Sequence, residues 1–211
     1  MSIVRRQLRY SYDNVVIGLI GINVLIFIGM QLFGHAWMIF HFSMNPVLVL
    51  QRGWFWQFFT YMFIHSPAGF THILFNMLAL FIFGRQVEHQ MGSREFLLYY
   101  FSTGALAGIF SFFVYVLTGN FAVFLMGASG AIFAVQLAFA VYFPTSIIYI
   151  WGILPLRAPI MVLGFTGLQI FFMISGAQGN VAHVTHLAGF AFGWLYFMVR
   201  CRINPWQAMR R

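Results

Sequence analysis

The chain has 211 residues, 62% of them hydrophobic and 7% charged, with a mean hydropathy of +0.86. That composition excludes a soluble globular domain and fits a polytopic membrane protein. The formal charge of +8 comes from eleven Arg against Asp13, Glu88 and Glu95. The Arg are scattered between apolar blocks, which argues against a nucleic-acid-binding face and for topology determinants.

In chain order, the apolar runs predict six membrane spans, at 15–33, 71–90, 96–117, 128–143, 159–175 and 181–199. A span needs about 20 apolar residues. The first reads as a retained anchor rather than a cleaved signal. The loop at 34–70 carries Trp37, Trp54 and Trp56, residues that belong at the headgroup level, so it is expected to lie partly in the outer leaflet. Glu88 is expected to anchor the inner end of span 2. Segment 144–158, punctuated by Pro144, Pro155 and Pro159, reads as an interfacial connector or part of a broken span. Cys201 is the sole cysteine, so no internal disulfide is possible.

Six spans put both termini on one side. Arg5, Arg6, Arg9, Arg85, Arg94, Arg157, Arg200, Arg202, Arg210 and Arg211 then share that side, and only Arg52 lies opposite. The positive-inside rule makes the shared side cytoplasmic. The loops near Gly119 and Gly179 are then external. No repeat or separate soluble domain is visible, so residues 1–211 read as one membrane domain.

Span 4 is short. Gly127 marks a non-helical entry, and a helix from Ser129 to Phe143 is roughly 22 Å long against a hydrocarbon core of about 30 Å. It is expected to begin below the outer surface, with Phe121–Met126 dipping in to meet it. Irregular backbone at that depth needs cover from protein or a water-filled cavity. His186 lies roughly 7 Å into span 6, at similar depth. His72 and Asn76, spaced i, i+4 on span 2, share a helix face in the same layer. Neutral His186 could serve as base to Ser129, and the Ser129 N–H with His72 and Asn76 could meet an oxyanion. No carboxylate reaches His186, so the pair must act as a dyad. Gly130, Ala134 and Ala138 on span 4 face a row of Ala182, Gly189 and Gly193 on span 6, and such small rows let helices approach closely.

Each residue alone has a plainer reading. A membrane serine, histidine or asparagine is commonly an interhelical hydrogen-bonding group. A metal site of His72, His183 and His186 is disfavoured, because no carboxylate or cysteine completes it. His35, His41 and His89 read as interfacial, and His65 as ordering the loop before span 2.

Jointly, the motifs resemble the rhomboid intramembrane serine proteases in their minimal six-span, all-α form. The resemblance rests on Gly127-Ala128-Ser129-Gly130, His186-x-x-Gly189-x-x-x-Gly193, His72-x-x-x-Asn76 and Gly84-x-x-x-Glu88-x-x-x-Gly92. It implies Ser129 as nucleophile, His186 as base, and an oxyanion hole of His72, Asn76 and the Ser129 backbone. It implies transmembrane protein substrates cut within the bilayer, no cofactor or metal, and span 5 as a lateral gate beside span 2. The expected location is a bacterial inner (cell) membrane, multi-pass. Two positions depart from the family: Gln57 stands where Arg often follows Trp in anchoring the first loop, a role for which Arg52 could compensate, and Phe133 stands where Tyr often packs on the histidine. The alternative from another class is a non-catalytic binder or quality-control factor for membrane proteins. A transporter is a weaker third, since no intramembrane acid or Arg marks an ion path.

Overall fold

A computed structural model describes residues 8–150, 152–175 and 181–211, with the backbone alone at Val181 and Ala182. Helix α1 (Val15–Phe33) ends at Gly34, whose φ of 104° is open to glycine and strained for other residues. The loop beyond it is not irregular. It forms three short helices, α2 (His35–Phe42), α3 (Pro46–Arg52) and α4 (Gln57–Thr60). Helix α3 has a complete set of end signals: Asn45 accepts from Leu48 N at 3.1 Å, Pro46 opens the first turn, and Gly53 closes it in the left-handed region.

The segment expected as a second span forms three consecutive pieces: α5 (Thr71–Ala79), a π turn (Leu80–Gly84) and α6 (Arg85–Met91). Helix α7 (Ser93–Leu117) follows Gly92 directly. Helix α8 (Ser129–Tyr142) is the centre of the molecule: from Gly130 to Val141 every residue but Phe133 is buried. A helix apolar on all sides is stable only when wrapped by others. Helices α9 (Ala158–Ser175) and α10 (Val181–Tyr196) complete the set, the latter running into a π turn (Phe197–Cys201) and the short α11 (Pro205–Met209).

Three of these, Val15–Phe33, Ser93–Leu117 and Ala158–Ser175, are long and apolar enough to cross a membrane, and α8 is a shorter apolar helix. The chain is an integral membrane protein. Its helix limits fall close to those expected from the apolar runs.

The segment 144–158 departs from an all-α chain. It forms an antiparallel hairpin, β1 (Ile147–Ile150) with β2 (Leu154–Arg157), in the register Ile147 opposite Arg157 and Ile150 opposite Leu154. Three isoleucines and a tyrosine favour a pleated strand, and Gly152, at φ 72°, supplies the turn. Pro155 cannot donate to a ladder and sits where an edge tolerates it. Pro159 lies in the first turn of α9, where its missing N–H removes nothing.

The entry to α8 is covered as its backbone requires. Met44 and Leu125 exchange two backbone hydrogen bonds, at 3.0 and 2.9 Å. The Asn45 amide donates to the carbonyls of Phe121 at 3.1 Å and Val123 at 2.8 Å. Gly127 N–H donates to Tyr61 O at 2.9 Å. The first loop therefore satisfies the irregular strand beneath it.

Candidate active site

Ser129 opens α8, and His186 sits on the facing side of α10. The two helices meet through glycine: a Cβ on Gly189 would lie 1.9 Å from the Gly130 carbonyl oxygen, and one on Gly193 would lie 3.0 Å from the Ala134 Cβ. At Gly189 the clash is with backbone, so no larger residue fits there without moving a helix. This close approach places Ser129 Oγ 2.7 Å from His186 Nε2. Phe133, one turn along α8, lies flat on the imidazole, with centroids 4.5 Å apart and planes 7° from parallel. It holds the ring without a hydroxyl. Both Ser129 and His186 are half-buried.

His72 approaches from α5. The Ser66 N–H donates to its Nδ1 at 3.2 Å, so the neutral ring carries its proton on Nε2. That Nε2 lies 2.8 Å from where a Cβ on Gly127 would stand, and Ser129 Oγ lies 3.8 Å from the same point. Gly127, at φ 114°, leaves this space empty. His72 Nε2 and Ser129 Oγ therefore both approach the side of Gly127 that carries no side chain. Asn76 is buried one turn further along the same face, and its amide donates to the His72 carbonyl at 2.8 Å. His65 packs on His72 with centroids 5.2 Å apart. Burial, and then the His72 ring, holds the His65 imidazole down at about 4, so it faces His72 as a neutral ring at pH 7.

Behind the dyad stands a residue with no place in the motifs. Gln169 Oε1, from α9, lies 3.0 Å from His186 Nδ1 and 2.5 Å from His183 Nδ1. The only sequence signal is a single amide in an otherwise apolar span, which reads equally well as helix glue.

Two supporting residues serve differently from their sequence readings. Gln57 is fully buried and anchors the first loop itself: its Oε1 accepts from Asn45 N at 3.1 Å and its Nε2 donates to Phe40 O at 3.1 Å. Arg52 instead lies over the rings of Phe40 and Trp54, at 5.7 and 5.2 Å. Glu88 secures span 1 more than span 2. Its carboxylate accepts from Val15 N at 2.8 Å, Val16 N at 3.1 Å and the Ser93 hydroxyl at 2.6 Å. Asn14, in the N-cap position, makes no side-chain cap, so Glu88 supplies it. Gly179 and the Ala182 side chain lie outside the described residues.

Comparison with known proteins places this geometry in context. The Rhomboid domain family model matches residues 52–203. The chain is 31% identical over 150 residues to the putative rhomboid protease YdcA of Bacillus subtilis, covering 70% of this chain and 68% of that protein. It is 27% identical over 173 residues to the rhomboid protease AarA of Providencia stuartii, covering 73% and 59%. It is 26% identical over 195 residues to the mitochondrial RHOMBOID-like protein 12 of Arabidopsis thaliana, covering 86% and 56%. The matches thus span little more than half the length of the last two. With the family domain running from the first loop to beyond α10, the chain belongs to the rhomboid family.

Proposed function

We propose that this protein is an intramembrane serine endopeptidase that cuts transmembrane segments of other membrane proteins with a Ser129–His186 dyad. The observation that carries the reading is the 2.7 Å approach of Ser129 Oγ to His186 Nε2, with Phe133 stacked behind the base. The relatives named as proteases support the reaction class.

In the first step, His186 Nε2 takes the Ser129 proton as Oγ attacks the scissile carbonyl carbon. The carbonyl electron pair moves to oxygen. His72 Nε2–H and the Ser129 N–H at the start of α8 donate to that oxyanion. Asn76 is the further donor. Each such donor lowers the barrier by about 3 kcal/mol in well-characterised cases. The imidazolium then protonates the leaving amine as the C–N bond breaks. A water, deprotonated by the same nitrogen, releases the acyl group from Ser129. The half-buried dyad lies where helices α5, α8, α9 and α10 surround it, and the six-span reading puts it below the outer surface.

Ser129→Ala should abolish cleavage of a model transmembrane substrate while leaving the fold intact. A serine-directed phosphonate should label the parent chain at Ser129 and leave the variant unlabelled. Undiminished cleavage by purified Ser129→Ala would overturn the assignment. A parent chain that binds transmembrane peptides, cuts none and takes no label would be a non-catalytic binder.

A further inference from the structure

Helix α9 sends one polar side chain against the base. Gln169 Oε1 meets the Nδ1 atoms of both His183, at 2.5 Å, and His186, at 3.0 Å. Phe172, on the same face of α9, stacks on His183 with centroids 5.7 Å apart. His183 is buried, and its Nε2 has no hydrogen-bond partner among the described residues.

That bare nitrogen fixes the protons. A neutral imidazole has one N–H and one lone pair. Burying an unpaired N–H is the rarer and costlier arrangement, so the His183 proton belongs on Nδ1, toward Gln169. The atom it meets must then accept, which sets the amide with Oε1 rather than its NH2 toward the histidines. His186 presents Nδ1 to the same oxygen and must also donate. Its one proton is committed there, and Nε2 faces Ser129 as a lone pair. The opposite tautomer would put an N–H against the hydroxyl and leave no base.

We propose that Gln169 is the positioning residue of the dyad: its amide oxygen holds His186 as the Nδ1–H tautomer and receives that N–H as the ring becomes cationic. This rests on the proposed dyad and deepens it. The role parallels that of the carboxylate in a serine triad, with a neutral acceptor in its place. The chain's three acidic side chains lie elsewhere: Asp13 is exposed ahead of α1, Glu88 caps α1 and Glu95 pairs with Arg200. The titratable groups facing His186 are His183 from its own helix and His72 from α5. Helix α8 brings Ser129 and Phe133, and α7 carries Tyr115, hydrogen-bonded to Thr185 beside His186 in the chain. None of these replaces the Gln169 acceptor. The buried residues of α9 are Ala158, Pro159, Met161 and Val162, all in its first two turns, so the orienting oxygen comes from the loosely held part of its helix.

The test compares Gln169→Leu and Gln169→Glu with the parent chain in detergent, using a fluorogenic transmembrane peptide across the pH range. Gln169→Leu should lower kcat about 10- to 100-fold at nearly unchanged KM, because the base loses its tautomer. Gln169→Glu keeps the acceptor and should recover most of the turnover. Its acid limb in the kcat profile should move to higher pH, since a carboxylate beside the ring favours the imidazolium. An unshifted limb in Gln169→Glu overturns the proposal, as does parent-like kcat in Gln169→Leu. If Gln169→Leu does not fold, the Gln169→Glu profile decides alone. Phosphonate labelling of Ser129 in the parent separates this failure from failure of the dyad itself.

Discussion

A buried carboxylate that accepts three hydrogen bonds shows how far one residue's role can lie from its motif. Glu88 receives Val15 N, Val16 N and the Ser93 hydroxyl, and Ser93 Oγ in turn accepts from Asp13 N at 2.7 Å. Glu88→Ala should strand those buried donors, at about 1–3 kcal/mol for each group left unsatisfied. The expected outcome is a clear fall in the detergent melting temperature, with kcat per labelled Ser129 close to the parent value. An unchanged melting temperature would show that water replaces the carboxylate. At this scale the approach of Ser129 to His186 and the packing of Phe133 on its ring were legible, because a family spacing ties each to a neighbour of known type; their catalytic roles stay proposals. Gln57 and Gln169 were not. An amide can donate or accept on any side, so its partner is settled only by what the other helices bring to it.

At the scale of elements, the contact of α8 with α10 sets the approach of Ser129 to His186. A Cβ on Gly189 would stand 1.9 Å from backbone oxygen and 2.7 Å from backbone carbon of Gly130. Backbone cannot swing aside as a side chain can. Gly189→Ala should therefore force the helices apart, cost about 1–3 kcal/mol as overpacking does, and lower kcat more than it raises KM. Gly164→Ala is the matched control, since a Cβ there meets nothing within 4 Å. Equal activity in both variants would refute the close-packing account. The small-residue rows and helix limits were readable because periodicity and small size are properties of one strand of sequence. The hairpin at 147–157 was not. Its apolar, proline-marked stretch suits several structures, and register against a partner strand chose among them. The π turns at Leu80–Gly84 and Phe197–Cys201 also leave no composition signal.

Across the whole molecule, one end is tied together by hydrogen bonds and the other holds Ser129 and His186. Leu8 N–H donates to Glu95 at 3.0 Å, the Tyr10 hydroxyl to His89 O at 3.0 Å, and Arg200 to Glu95 at 2.9 Å and through a second, shorter contact. This end holds the N-terminal segment, the α6–α7 turn and the end of α10. The Arg distribution predicts that it is cytoplasmic. Single cysteines on a Cys201→Ser background provide the check: Asn120→Cys should react with an impermeant reagent from outside, and Gln90→Cys only after the membrane is opened. The reverse pattern would invert the topology and the depth assigned to the dyad.

The cap on α1 also imposes an order of events during synthesis. Val15 and the Glu88 oxygen that receives its N–H are 73 residues apart in the chain. At ribosomal rates of about 5–20 residues per second, the first helix waits roughly 4 to 15 s for its latch. During that interval the arginines flanking the first helix already act on its orientation, and the Glu88 latch joins them only afterwards.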